Sequence, residues 1–286
     1  MGSRLGLIGG SGLYRMSALT DGDWIAVDTP WGKPSDDLLI GAIEGREVAF
    51  LPRHGRGHRI APDEINYRAN IAALKAAGCS EILALSAVGS FREELAPGTF
   101  VAVDQYVDRT VRGGRSFFGE GIVGHVSFGQ PACGRLRGLV ADALSELALP
   151  HRIGGTMVVI EGPQFATRAE SLLHRASGFD VVGMTGLPEA RLAREAELCY
   201  QGVAMVTDYD VWADSDVDVG EIVRVMNANV ANAQALVSGV ARRATPIQHC
   251  GERCGHALDG AVMTARDAWP PASRRRLATL APRIFG

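Results

Sequence analysis

The fold class is decided by residues 82–90, which read Ile82-Leu83-Ala84-Leu85-Ser86-Ala87-Val88-Gly89-Ser90. A short, unbroken run of apolar and small residues is typical of a β-strand that is buried on both faces. The preceding residues, Ile65 to Ala77, predict a helix, and Gly78 supplies its C-terminal stop. A helix that leads into a fully buried strand is typical of α/β proteins.

The same alternation of strand-like and helix-like segments continues in both directions along the chain. It predicts an α/β architecture in one domain, residues 1–286, with a C-terminal extension from about residue 246. The turn at Glu44-Gly45 predicts a hairpin between the second and third strands. The other expected strands are 5–8, 38–43, 48–51, 100–107, 156–160, 181–184 and 202–207, and the other expected helices are 136–147, 169–176, one that opens at Pro188, and 218–242.

Composition and charge exclude several classes of protein. A hydrophobic fraction of 47% in 286 residues supports an ordinary core and argues against disorder. The net charge of -3 is not that of a nucleic-acid-binding protein, and the short run Arg274 to Arg276 is typical of a solvated tail. The apolar run at the N-terminus is too short for a signal peptide or a membrane span. We therefore expect a cytoplasmic protein that binds neither nucleic acid nor membrane.

Polar and glycine-rich corners follow the predicted strands, after residues 8, 51, 88, 160, 184 and 206. Ligands of open α/β sheets bind at the carboxyl ends of the strands, so these corners hold the candidate site residues.

Two corners indicate anion binding. Gly9-Gly10-Ser11-Gly12 offers backbone N–H groups and a hydroxyl, although the same residues also suit a tight turn. Residues 52–59 place Arg53, His54 and His58 directly after a strand, and an Arg fork binds phosphate through two parallel hydrogen bonds. The alternative for this second corner is an exposed basic loop.

The remaining corners offer groups for a flat base and for proton transfer. Phe165 can stack on a base or belong to the core, and Thr185 can give a hydroxyl to phosphate. Asp208 and Asp210 point the same way if the chain stays extended. Two carboxylates at such a short separation raise each other's pKa. One of them can therefore hold the proton that a departing heterocycle needs. The alternative is a pair of turn or N-cap aspartates.

Taken together, five motifs closely resemble the trimeric purine nucleoside phosphorylase and methylthioadenosine phosphorylase family. They occur in the family's order and span residues 5 to about 242. They are Gly9-Gly10-Ser11-Gly12-Leu13, Arg53-His54-Gly55-Arg56-Gly57-His58, Glu161-Gly162-Pro163-Gln164-Phe165, Met184-Thr185 and Asp208-Tyr209-Asp210.

The resemblance implies a mixed β-sheet core flanked by helices. It also implies a homotrimer, or a dimer of trimers, with sites near the subunit interfaces. The implied reaction uses inorganic phosphate as co-substrate and needs no metal or cofactor. Asp208 and Asp210 would be the catalytic acids at the purine edge. Phosphate would be bound by Ser11, Arg53, His54, Ser86, Ala87 and Thr185. The nucleoside would be held by Phe165, Ala166, Met184, His58, Val219, Ile222 and, from the neighbouring subunit, His125.

The resemblance also implies phosphorolysis of 5'-methylthioadenosine. Two carboxylates accept from a 6-amino purine but repel a 6-oxo purine. The apolar Val219 and Ile222 suit a methylthio group. Gly186 and Ala166 depart from the adenine-specific pattern, which leaves a methylthioinosine or other 6-oxopurine nucleoside phosphorylase as an alternative. Phosphorylases of other 5'-deoxy-5'-substituted adenosines, a hydrolase and a non-catalytic nucleoside-binding protein also remain open.

The five cysteines do not form a disulfide framework, because their number is odd and they are sparse. Cys79 and Cys199 lie in apolar contexts and are expected to be small buried hydrophobes. Cys250 and Cys254, with His249 and His256 nearby, match no common zinc spacing. We therefore expect this pair to be structural or incidental, without a metal.

Overall fold

The computed structural model describes residues 4–10, 13, 16–212, 219–243 and 250–286, with the side chains of 219, 221 and 222 also outside the description. Within these residues, eleven strands form one mixed sheet with helices packed on it. The strands are β1 Arg4–Gly9, β2 Thr20–Ile25, β3 Leu38–Ile43, β4 Arg46–Pro52, β5 Cys79–Ser90, β6 Phe100–Val103, β7 Gln105–Asp108, β8 His151–Ile153, β9 Thr156–Val159, β10 Val181–Gly183 and β11 Cys199–Asp208. The helices are α1 Tyr67–Ala76, α2 Gly134–Glu146, α3 Arg168–Ala176, α4 Glu189–Glu195, α5 Val219–Arg242, α6 Pro271–Ala278 and α7 Pro282–Phe285.

The long strand β5 is the centre of the sheet. It runs parallel to β1 on one side and to β11 on the other, and β4 extends the parallel set beyond β1. The carboxyl ends of these four strands therefore lie at one edge of the sheet. The predicted hairpin is confirmed, because β3 and β4 pair antiparallel around Glu44 and Gly45, which both have positive φ.

The end of β5 also pairs with a strand of opposite direction. Val181 and Val182 of β10 pair antiparallel with Ser90 and Gly89, and β9 runs parallel to β10. This crossing brings the residues that follow β10 back over the carboxyl end of β5. A cavity forms between them.

One predicted strand, 100–107, is wrong as a single element. The chain bends at Asp104, so that β6 pairs with β11 and β8 while β7 pairs with β9. The Asp104 carboxylate holds the bend by accepting hydrogen bonds from the backbone N–H of Gly155 at 3.0 Å and from Arg137 at 2.9 Å. Two strands were not predicted: β2 begins with four polar or glycine residues and is exposed throughout, and β8 has only three residues.

The apolar core lies on both faces of the sheet. Helices α1 and α4 cover one face with residues such as Ile71, Leu74 and Leu192. Helices α2 and α5 cover the other with residues such as Val140 and Val237. The predicted mixed β-sheet core flanked by helices is confirmed. Among the described residues, none of the helices is both apolar and long enough to cross a bilayer.

Candidate active site

A cavity of about 300 Å³ opens at the carboxyl ends of β1, β4, β5, β10 and β11. It brings together eleven of the residues that sequence analysis proposed for a site. These are Arg53, His54, His58, Ser86, Ala87, Phe165, Ala166, Met184, Thr185, Asp208 and Asp210. The end lined by Arg53, Ser86 and Thr185 is called the phosphate end below, and the end lined by Asp208 and Asp210 is called the base end.

At the phosphate end, the buried guanidinium of Arg53 is held in one orientation. Its Nε and Nη2 donate to the two carboxylate oxygens of Glu189, at 2.5 and 3.1 Å, and its Nη1 donates to the carbonyl of Leu85 at 2.9 Å. Tyr200 donates a further hydrogen bond to Glu189 at 3.1 Å. Sequence reasoning missed Glu189, which is fully buried at the start of α4.

Because Gly10 has no side chain, its backbone lies close to the Arg53 guanidinium and the Leu85 carbonyl. A Cβ added at Gly10 would lie 2.7 Å from the Arg53 Nη1 and 3.0 Å from the Leu85 carbonyl oxygen. The hydroxyls of Ser86 and Thr185 lie 3.2 Å apart at the same end of the cavity. Ser11, expected to add a hydroxyl here, lies outside the described residues.

The imidazole of His54 lies beside this cluster. Its Nδ1 is 2.9 Å from the carbonyl oxygen of Ile60, and because a carbonyl only accepts, Nδ1 carries the proton. Burial, followed by the positive charge of Arg53, lowers the pKa of His54 to about 4. His54 is therefore neutral near pH 7, with Nε2 as an acceptor, and it donates from Nε2 only after it takes up a proton. The ring stacks on His58 with centroids 4.5 Å apart.

At the base end, Asp208 is the last residue of β11. Its two carboxylate oxygens accept hydrogen bonds from the Thr207 hydroxyl at 2.7 Å and from the backbone N–H of Asp210 at 2.8 Å. Burial is the main cause that raises the pKa of Asp208, and the charge of Asp210 adds to it, against these hydrogen bonds. The carboxyl is shifted toward the protonated form that can donate a proton.

The extended geometry expected for the two carboxylates is wrong, because the chain turns at Asp210. This residue has a positive φ of 53° and begins a short 3₁₀ turn. Its side chain still lines the cavity, and the hydroxyl of Ser171 on α3 donates to it. A capping box of Thr167 and Glu170 fixes the start of that helix.

The walls between the two ends are largely apolar. Phe165 is 67% exposed, so its ring is free to stack on a ligand rather than being part of the core. Met226 enters the cavity from α5, one helical turn after Ile222, and was not predicted. Val219 and Ile222 lie on the same helix, but their side chains are outside the described residues.

His125 is not among the residues that line the cavity. It is exposed in the irregular segment 109–131, and its backbone N–H donates to the carbonyl of Ala261 at 2.8 Å. This segment is long and has no regular secondary structure apart from isolated bridges.

Arg112, in the same irregular segment, was missed as a structural residue of the site. Its buried guanidinium donates to backbone carbonyls of the chain corners around the cavity. It therefore holds those corners together. The acceptors are the carbonyls of Pro62, Ile160, Glu161 and Met184, at 2.7 to 3.2 Å.

Known proteins resemble this chain in sequence and in overall fold. Residues 4–242 match the model of the phosphorylase superfamily. The chain is 49% identical over 288 residues to the S-methyl-5'-thioadenosine phosphorylase of Cereibacter sphaeroides, with 100% of this chain and 99% of the relative covered. It is 47% identical to the protein of the same name from Geobacter sulfurreducens, covering 96% of both chains.

Solved structures of methylthioadenosine phosphorylases have the same overall fold as this chain. The chain superimposes with a TM-score of 0.90 and 39% identity on a methylthioadenosine phosphorylase from an antarctic soil metagenomic library, covering 98% of this chain and 99% of the other. The methylthioadenosine phosphorylase of Schistosoma mansoni in complex with adenine gives a TM-score of 0.87 at 34% identity, with 92% and 100% covered. The chain therefore belongs to the phosphorylase superfamily.

Proposed function

We propose that the protein cleaves 5'-methylthioadenosine with inorganic phosphate, which yields adenine and 5-methylthioribose 1-phosphate. The observation that carries this proposal is the division of one cavity into a phosphate end built on Arg53 and a base end built on two carboxyl groups. The names of the relatives at 45–49% identity over nearly the whole chain support the same reaction.

Phosphate is bound at the end lined by Arg53. A guanidinium has five N–H donors, and the three hydrogen bonds to Glu189 and Leu85 leave two for the anion. The hydroxyls of Ser86, Thr185 and Ser11 and the backbone of Ala87 complete the set. Neutral His54 accepts a hydrogen bond at Nε2 from a phosphate O–H group, and protonated His54 donates one from Nε2 to a phosphate oxygen.

The reaction follows from the positions of the two ends. The bond between C1' and the purine N9 breaks with its electron pair going to the base, and a phosphate oxygen forms the new bond to C1'. The phosphate anion stabilises the positive charge that develops on the sugar. Asp208 in its acid form donates a proton to the purine N7, and Asp210 accepts from the 6-amino group.

The nucleoside is recognised by the remaining lining residues. Phe165 stacks on the purine with Ala166 beside it, and Met184 packs on the ribose. The 5' substituent lies beside His58 and Met226, where an apolar methylthio group avoids the burial of an unpaired hydroxyl. The resemblance adds Val219 and Ile222 as proposed contacts of the same substituent. Because Gly186 and Ala166 depart from the adenine-specific pattern, 6-oxopurine nucleosides are alternative substrates. Because the 5' pocket is apolar, adenosines with other 5'-deoxy-5' substituents are alternatives as well.

The proposal includes assembly and location. The protein acts as a homotrimer or a dimer of trimers in the cytoplasm, and His125 reaches the cavity of a neighbouring subunit. His125 is exposed and is not among the residues that line the cavity of its own chain, which supports this arrangement. The reaction itself needs phosphate as co-substrate but no metal or organic cofactor.

The test is incubation of the purified protein with 5'-methylthioadenosine, with and without phosphate, followed by chromatography of the free base. Adenine release that requires phosphate is the expected result. Release without phosphate would indicate a hydrolase, and tight binding without release would indicate a nucleoside-binding protein. Cleavage of methylthioinosine but not of 5'-methylthioadenosine would show that the roles of Asp208 and Asp210 are misassigned.

A further inference from the structure

Four buried cysteines meet at the amino end of β11, far from the cavity. Their sulfur atoms all lie within 4.8 Å of one another. They come from the N-cap of α2, the first residue of β11 and the C-terminal segment. They are Cys133, Cys199, Cys250 and Cys254, and they are called the cysteine cluster below.

This cluster differs from the ligands considered on sequence alone. His256 is exposed and lies 3.5 Å from Asp259, and His249 is outside the described residues. Cys199 is not an isolated small hydrophobe, because three other thiols surround it. The sequence does not predict this cluster because it is formed by tertiary contacts. Cys133 and Cys250 are 117 residues apart, so no local spacing indicates that they meet.

The sulfur positions suit a tetrahedral metal. Zinc–sulfur bonds of about 2.3 Å give sulfur–sulfur edges of about 3.8 Å in a tetrahedron. The Sγ atoms of Cys250 and Cys254 are 3.4 Å apart, and those of Cys133 and Cys250 are 3.5 Å apart. A disulfide requires about 2.05 Å, and all five cysteines are free thiols.

The charges around the cluster favour an anionic group. The buried Arg194 donates to the Cys254 sulfur at 3.6 Å. No carboxylate in the described part of the chain lies within ion-pair distance of the Arg194 guanidinium. Arg135 contacts Cys199 and shares the Glu81 carboxylate with Arg46, so two guanidiniums face one carboxylate. Four thiolates on a divalent cation carry a net charge of about -2. Arg194 and the excess guanidinium beside Glu81 offset this charge, while the Glu252 carboxylate, 3.5 Å from the Cys250 sulfur, opposes them.

We propose that Cys133, Cys199, Cys250 and Cys254 together bind one structural Zn²⁺ in a closed tetrathiolate site. Closed sites with four protein ligands contribute to folding rather than to catalysis. Four thiol protons leave as the metal binds. The Glu252 carboxylate accepts from the Cys250 sulfur at 3.5 Å and from the Cys133 sulfur at 3.9 Å.

The site would fasten the C-terminal segment to the body of the protein. Residues 250–286 in turn hold the irregular segment: Val262 forms a bridge with Gly124, and Ala261 accepts from the backbone of His125. Ser273 also donates to the carbonyl of Glu120 at 2.7 Å. The metal thus secures the part of the chain that carries His125.

The test starts with the unmodified protein, expressed in zinc-supplemented medium and purified under reducing conditions. Elemental analysis should find one zinc per chain, released by a mercurial that titrates thiols. Replacement by Co²⁺ should give the charge-transfer and d–d absorption of a tetrahedral tetrathiolate. A metal-free protein, or one in which mass spectrometry finds disulfides among these four cysteines, would overturn the proposal.

Variants locate the metal. Cys199→Ser and Cys250→Ser should retain at least tenfold less zinc after dialysis against a weak chelator, and they should melt at lower temperature. Cys79→Ser is the matched control, because Cys79 is equally buried but lies outside the cluster. Equal zinc in Cys250→Ser and in the unmodified protein would overturn the proposal. Should a variant fail to fold, the zinc content and cobalt spectrum of the unmodified protein still decide.

Discussion

The two ends of strand β11 carry opposite kinds of site. Its last residue, Asp208, borders an open cavity, and its first residue, Cys199, is enclosed by three other thiols. A ten-residue strand extends over roughly 30 Å, so the two sites do not touch. The open end suits a ligand that enters and leaves, and the closed end suits one that stays. Changes at the base end of the cavity should alter rate, and changes at the cysteine cluster should alter stability.

The largest effect is expected at the base end of the cavity. Asp208→Asn removes the proposed proton donor, so kcat/KM for 5'-methylthioadenosine should fall about 10²–10⁴-fold. Zinc content and melting temperature should stay unchanged, which would sharpen the comparison. Asp142→Asn, on the exposed face of α2, is the control and should keep full activity. An Asp208→Asn enzyme with normal kcat would remove this residue from the mechanism.

A change at the phosphate end should affect both rate and stability, because its key ion pair is buried. Glu189→Gln leaves the Arg53 charge without its carboxylate, which should cost about 3 to 5 kcal/mol in the free energy of unfolding. Urea denaturation measures this loss. Phosphate should restore more stability to the variant than to the unmodified protein, because the anion takes over part of the charge balance.

The ion pair Arg4–Glu47, whose carboxylate side chain is 63% exposed, provides the comparison for Glu189. Glu47→Gln should change the free energy of unfolding by less than about 1 kcal/mol, since exposed ion pairs contribute little. Similar losses in the two variants would contradict the role given to the buried pair.

His54 should give the cavity a pH dependence. Its pKa of about 4 in the folded protein lies below the value of about 6.5 expected in the unfolded chain. As pH falls from 6.5 to 4, the unfolded chain binds a proton that the folded protein does not, so stability falls by up to about 3 kcal/mol. Below pH 4 this contribution levels off.

Unfolding free energies of the unmodified protein and of His54→Gln between pH 4.5 and 7 measure this dependence. The variant should show a shallower slope against pH. Identical slopes would mean that His54 titrates normally in the folded protein.

The smallest effect is expected at Gly10. Gly10→Ala places a methyl group 2.7 Å from the Arg53 Nη1, so the guanidinium must shift, and the KM for phosphate should rise about tenfold. Gly129→Ala is the control, because a Cβ there meets no atom within 4 Å. Steady-state kinetics at varied phosphate separate the two, and an unchanged KM in Gly10→Ala would show that the phosphate end is looser than described.

The sequence predicts the open site far better than the closed one. Arg53 follows β4 and Asp208 ends β11, so the rule that ligands bind at carboxyl ends of strands finds both residues directly. The positions that it misses act through long-range contacts. Glu189 reaches Arg53 across 136 residues, and Ser171 reaches Asp210 across 39.

Contacts between residues that are distant in sequence also form the bend at Asp104 and the cysteine cluster, so the sequence does not predict them. The bend at Asp104 depends on a hydrogen bond to Gly155, 51 residues away, which no local pattern records. Cys250 and Cys254 are close in sequence, but their two partners are not. Local spacing predicts sites whose groups lie next to a strand end, whereas sites built by packing of distant segments need the structure.

A crystal structure of the protein with phosphate and adenine bound tests the central claim most directly, because that claim is the division of the cavity into two ends. We expect the anion to contact Arg53, Ser86 and Thr185, and the N7 and 6-amino edge of adenine to face Asp208 and Asp210. Adenine bound with this edge turned away from both carboxyl groups, or phosphate bound away from Arg53, would contradict the account.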